Sequence, residues 1–135
     1  MSVAPPPPPL FVLGAPAVGT SRVAAWLGTH PQLCAVPELN LSMADTVGEL
    51  LDIAVLDAGP LLDGLLRALA VLGFGAQTDA AVEQARQWLQ DRAGQATAEV
   101  LEWLVRQAAP RRLVVPDSGA ALRPLDLLRL RRGRP

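Results

Sequence analysis

The strongest constraint on this chain is the run Gly14-Ala15-Pro16-Ala17-Val18-Gly19-Thr20-Ser21, which has the G-x-x-x-x-G spacing of a phosphate loop. The segments on either side suit such a loop. Before it, Leu10-Phe11-Val12-Leu13 is a continuous apolar run, the pattern of a strand buried on both faces of a parallel sheet. After it, Thr20, Val23, Ala24 and Leu27 share one helical face, and Gly28 with His30-Pro31 supplies stop signals. The glycines let the backbone turn tightly, so that successive N–H groups converge on one anion. The helix that follows adds its positive dipole end, and Thr20 and Ser21 add hydroxyls. The competing reading is a tight strand-to-helix turn with a capping hydroxyl.

The remainder continues the strand–helix alternation. A second short strand is expected at 34–36, with Pro37-Glu38-Leu39-Asn40 at its carboxyl end, where loops of open α/β sheets face their ligands. Helices are expected at 47–56, 61–72, 78–91 and 97–108, the last two with apolar residues on single faces. Trp88 and Trp103 read as core or core-edge packing rather than stacking platforms. A third strand at 112–115 is expected to close on the turn Pro116-Asp117-Ser118-Gly119, followed by a helix over 121–131. Strands separated by helices predict an α/β fold with a parallel sheet and flanking helices. Residues 1–9 form a proline-rich lead-in of polyproline II character, and 10–135 form one domain.

Composition narrows the function classes. Half of the residues are apolar and the formal net charge is -1, which argues against a disordered chain or a nucleic-acid-coating one. All 12 basic residues are arginine, so arginine, hydroxyls or backbone must hold any anion. Arg129, Arg131, Arg132 and Arg134 read as a solvated helix end, with no nucleic acid as partner. One cysteine, Cys34, and one histidine make no metal cage, and a reducing compartment fits the lone thiol. The N-terminus lacks the basic and apolar regions of a signal peptide, and no apolar run reaches the ~20 residues of a membrane span. The expectation is a cytoplasmic protein with no membrane partner.

In nucleotide-triphosphate phosphate loops a lysine follows the second glycine, whereas here Thr20 stands there. The segment instead resembles the sulfotransferase family, whose loop reads P-R-S-G-T-[ST] and whose next helix ends in His-Pro. This chain has Pro16-Ala17-Val18-Gly19-Thr20-Ser21, then Trp26-Leu27-Gly28-Thr29-His30-Pro31, then Pro37-Glu38-Leu39. The resemblance is specific over 10–41 and weak over 97–130. It implies a phosphate-loop NTPase-like sulfotransferase fold that binds 3'-phosphoadenosine 5'-phosphosulfate, PAPS, through Pro16, Ala17, Val18, Gly19, Thr20 and Ser21. It implies transfer of the sulfuryl group to an acceptor hydroxyl without a metal. Glu38 matches the position of the glutamate that serves as general base in protein-tyrosine sulfotransferases; the other reading of Glu38 is a capping or surface residue. His30 reads as a helix C-terminal residue interacting with the last carbonyls rather than as a base.

The departures bear on the same site. Ala17 and Val18 replace the family's loop cation and serine, and Asp117 stands where a lysine-containing turn is usual, so it should repel the anion unless it faces away. The family's next strand, which leads to the partners of the 3'-phosphate, would begin near Gly133-Arg134-Pro135. The resemblance thus implies a domain truncated at its C-terminus, or one completed by a second chain. Two other functions stay open: a Mg²⁺-dependent nucleotide-phosphate enzyme using Ser21 and Asp117, and a non-catalytic anion-binding relic.

Overall fold

The structure is a computed structural model that describes residues 5–13, 20–57 and 61–117; the side chains of Thr20, Ser21 and Asp57 are outside that description. Pro16 to Gly19, the Ser118-Gly119 end of the expected turn and the expected helix over 121–131 also lie outside the described residues. The described elements run β1 (Leu10–Leu13), α1 (Thr20–Leu27), β2 (Leu33–Ala35), a 3-10 turn (Leu41–Met43), α2 (Val47–Asp57), α3 (Asp63–Phe74), α4 (Asp79–Gln90), α5 (Thr97–Ala108) and β3 (Arg112–Asp117).

The strands form one parallel sheet in the order β1-β3-β2. The expected α/β architecture is therefore present, with the last described strand at the centre. Leu113, Val114 and Val115 of β3 are at most 4% exposed, as a strand covered on both faces must be. The strand runs further than its apolar run predicts. Pro116 and Asp117 pair with Val12 and Leu13 instead of opening a turn. A proline is tolerated in this central strand because of where β2 stops. Val36 donates its N–H to Val114 O at 3.1 Å on the β2 side, and the paired register of β2 ends at Ala35 opposite Val114. By the alternation of the ladder, the N–H that Pro116 lacks belongs on that same side, beyond the end of β2.

Helix α1 lies on the sheet through Ala24, which is 1% exposed. The expected face over Thr20, Val23, Ala24 and Leu27 is narrower than predicted, because Val23 is exposed and Trp26, at 73% exposure, points to the outside. The helix stops where the glycine and histidine predict. Gly28 N–H reaches Ala24 O, and Thr29 donates both its N–H and its hydroxyl to Trp26 O.

Helices α3, α4 and α5 build most of the core, with Leu65, Leu69, Leu89, Leu101 and Leu104 at most 1% exposed. Each such side chain contributes about 1.5–3 kcal/mol by leaving water. The second expected helix starts and ends two residues late. Leu61 and Leu62 are buried ahead of its first turn, and the stop is Gly75, whose φ of 76° is easy only for glycine. Helix α4 matches its pattern, because the Thr78 hydroxyl accepts from Ala81 N–H at 3.1 Å and caps it. Trp88 and Trp103 pack on each other with centroids 4.8 Å apart, and the Arg92 guanidinium lies 4.1 Å from the Trp88 ring centroid.

The segments entering α2 and α5 are joined by a bridge between Thr46 and Ala96 and by Thr97, which is 2% exposed. Thr97 donates its hydroxyl to Ala44 O at 2.8 Å and its N–H to Asp45 O at 2.9 Å. Thr97→Val keeps the shape but strands a buried carbonyl. It is expected to lower the unfolding free energy by about 1.5 kcal/mol, read as a shift in the urea midpoint at constant slope.

Candidate functional site

Because all three strands run parallel, their carboxyl ends share one edge, where ligands of open α/β sheets collect. At that edge β1 ends at Leu13, directly before the loop of Gly14 to Gly19, and Asp117 is the register partner of Leu13. On the other side of β3, β2 ends and the chain enters Val36 to Met43, which carries Glu38. The fold therefore places the end of β1, from which the Gly14 to Gly19 run follows in sequence, and Glu38 on opposite flanks of the β3 carboxyl end. Thr20 and Ser21 open α1, whose first turn contains no acidic residue to offset its positive end.

The segment from Val36 to Met43 is held along its length. Val36 N–H bonds Val114 O, and the Asn40 side-chain amide donates to Leu61 O at 3.1 Å. Asn40 occupies the left-handed region at φ 57°, which asparagine enters more readily than most residues. Leu39 and Leu41 are buried on either side of it, while Glu38 is half-buried. The first turn of α3 presses on this segment at Gly64, where a Cβ would fall inside the van der Waals envelope of the Glu38 carbonyl oxygen.

Asp117 faces away from solvent. It is 6% exposed, and its Oδ2 accepts the hydroxyl of Ser42, itself 1% exposed, at 2.9 Å. The expected conflict between this carboxylate and an anion is thereby altered, since at least one carboxylate oxygen is directed at the 3-10 turn. The Ser21–Asp117 metal pair loses support for the same reason. Among the described residues, no group of three or more His, Cys, Asp or Glu could hold a metal ion. His30 meets the end of α1 through its backbone, donating its N–H to Leu27 O at 3.0 Å, while its Nδ1 accepts from Gln32 N–H at 3.1 Å. Cys34 is buried and unbridged within the core, consistent with a packing role.

Sequence reasoning missed Ser42, and it placed Asn40 at the ligand edge without assigning it a role. Ser42 lies 75 residues from Asp117, so no local pattern announces the pair. Asn40 does carry a local signal, since asparagine after an apolar strand favours left-handed turns. Away from this edge, a cavity of about 260 Å³ opens between α2, α3 and α4, with Leu51, Ala54, Leu62 and Leu66 in its wall and Asp63 and Arg86 contributing charge. No single described helix is long and apolar enough to cross a membrane.

No protein-family model matches the sequence, and a search of curated proteins returns no significant match. Solved structures do match. The chain is similar to the sulfotransferase domain from the Synechococcus PCC 7002 olefin synthase, at 27% identity and a TM-score of 0.75, over 96% of this chain and 45% of that one. It is also similar to the sulfotransferase domain from the curacin biosynthetic pathway, at 23% identity and a TM-score of 0.72, over 93% of this chain and 43% of that one. The chain thus spans less than half the length of these domains, and its fold is that of their corresponding portion.

Proposed function

Starting from the sulfotransferase-like fold, we propose that this chain binds the phosphosulfate end of PAPS at the carboxyl edge of its sheet and takes part in sulfuryl transfer to an acceptor hydroxyl. The observation that supports this reading is the placement of the end of β1, which the glycine run follows in sequence, and of Glu38 on the two flanks of the β3 carboxyl end. The donor set suits an anion: backbone amides of Ala17, Val18 and Gly19, the hydroxyls of Thr20 and Ser21, and a helix start without acidic residues. PAPS, when bound, supplies an activated sulfuryl group whose leaving side is a phosphate. Glu38 takes the proton of the acceptor hydroxyl as its oxygen attacks sulfur in line, so the new O–S bond forms as the bond from sulfur to the phosphate oxygen breaks. The loop donors stabilise the charge that collects on the departing phosphate. No metal is assigned a role. The partners proposed are this nucleotide and a hydroxyl acceptor. The proposed compartment is the cytoplasm, in keeping with the single thiol.

Calorimetry with adenosine 3',5'-bisphosphate tests the reading. Because Ala17 and Val18 stand in place of a cation and a hydroxyl, binding is expected to be weak, with Kd on the order of 0.1 mM, and unchanged by EDTA. Ala17→Arg restores a charge-assisted donor and is expected to tighten binding about tenfold, equivalent to about 1.4 kcal/mol. ATP or GTP binding that is tighter, requires Mg²⁺ and is lost in both Ser21→Ala and Asp117→Asn would instead establish the nucleotide-phosphate enzyme.

A further inference from the structure

The buried Ser42–Asp117 pair is not used by the chemistry above, and burial makes it costly. Placing a carboxylate in a nearly closed site is unfavourable unless it is paired, and an apolar pair of the same size generally serves stability as well or better. Asp117 nevertheless sits at the last position of the central strand, on the ligand edge, with its Oδ2 at 2.9 Å from the Ser42 hydroxyl. Ser42 in turn ends the segment that carries Glu38 and whose other points are tied down. Its start is held by Val36 N–H on Val114 O, its middle by the Asn40 amide on Leu61 O, and its exit by the Thr97 hydroxyl on Ala44 O. Asn40 adds a left-handed turn in the middle of the segment, a conformation that asparagine accepts readily. Remove Ser42–Asp117, and the stretch between Asn40 and Ala44 loses a side-chain bond to the sheet.

Resting on the assignment of Glu38 as general base, we infer that Ser42 and Asp117 are positioning residues, a latch that sets the height of the Glu38 segment against the central strand. Broken from the Ser42 side, the latch acts on the base alone, because Ser42 belongs to the Glu38 segment, whereas Asp117 also pairs in register with Leu13 ahead of the glycine run. Loss of the Ser42 hydroxyl therefore slows proton removal and leaves donor binding in place. A proton acceptor displaced by about 1 Å from its productive geometry loses rate on the order of 10²-fold, and partial relaxation of the segment predicts a smaller loss.

The test uses the full chain with PAPS and water as acceptor, followed as formation of adenosine 3',5'-bisphosphate. Ser42→Ala and Asp117→Ala are each expected to lower kcat about tenfold or more, Ser42→Ala with KM for PAPS within about twofold of wild type. Their double variant should be no slower than either alone. Asp117→Asn, whose amide oxygen still accepts from Ser42, should recover most of the rate lost in Asp117→Ala. Amide hydrogen exchange supplies a second measurement: Ser42→Ala should raise exchange over 38–43 and leave α3 and α5 protected. A change in KM of Ser42→Ala that matches its change in kcat would overturn the latch, as would unaltered exchange over 38–43. If Glu38→Gln slows turnover and Ser42→Ala does not, the latch fails and the site reading stands. If wild type does not turn over, or Glu38→Gln leaves its rate intact, the site reading fails and the latch falls with it.

Discussion

Replacing Glu38 by glutamine is expected to slow PAPS-dependent sulfuryl transfer by about 10²–10⁴-fold, the range that a positioned general base contributes. The substitution keeps the size and hydrogen-bonding reach of the side chain and removes its capacity to carry the proton away. Because Glu38 follows β2 while the donor loop follows β1, the affinity for adenosine 3',5'-bisphosphate should stay within about twofold of wild type. Rate and affinity thus separate the two halves of the proposed site. An unchanged rate would leave Glu38 as a surface residue and remove the reason for placing the base on this segment. Equal losses of rate and affinity would instead mean that Glu38 shapes the donor site.

The largest loss of stability among the substitutions considered is expected from Gly64→Ala. A methyl group there would overlap the Glu38 carbonyl oxygen and press on Pro37 Cβ at 3.1 Å. The nearest obstacle is backbone, so no change of rotamer relieves it; either α3 moves outward or the segment carrying Glu38 is displaced. Overpacking of this kind costs about 3 kcal/mol, the upper part of its usual range. Gly64→Ala should therefore lower the urea midpoint more than Thr97→Val does. It should also lower turnover in the molecules that remain folded, measured well below the midpoint. A variant as stable as wild type would show that α3 approaches the segment less closely than described. Alanine is otherwise the better helix former by about 1 kcal/mol, so propensity and packing predict opposite signs at this position.

Several elements were legible because their signals are local. The run Leu10–Leu13, the helix from Thr20 and the stop around Gly28 to His30 each follow from residues within a few positions of one another. The capped start of α4 at Thr78 and the span of α5 are of the same kind. The errors arose where the deciding neighbour is remote. Pro116 looked like a turn residue, yet it continues β3, because strand pairing with Val12 outweighs the local turn preference and the missing N–H falls past the end of β2. Val23 looked like a core residue, but it is exposed, and it is Ala24 that α1 buries.

By itself, then, the sequence determined the alternation of strands and helices, the glycine loop between β1 and α1, and the absence of lysine from that loop, since periodicity, capping and side-chain inventory act over one or two turns. Tertiary structure decided which strand is central, which way Asp117 faces and what holds the segment bearing Glu38. Those outcomes rest on contacts such as Ser42 with Asp117, 75 residues apart, and Asn40 with Leu61, 21 apart. Contacts of that kind form only when burial of the surrounding leucines has brought distant segments together, and nothing in the local pattern encodes their partner.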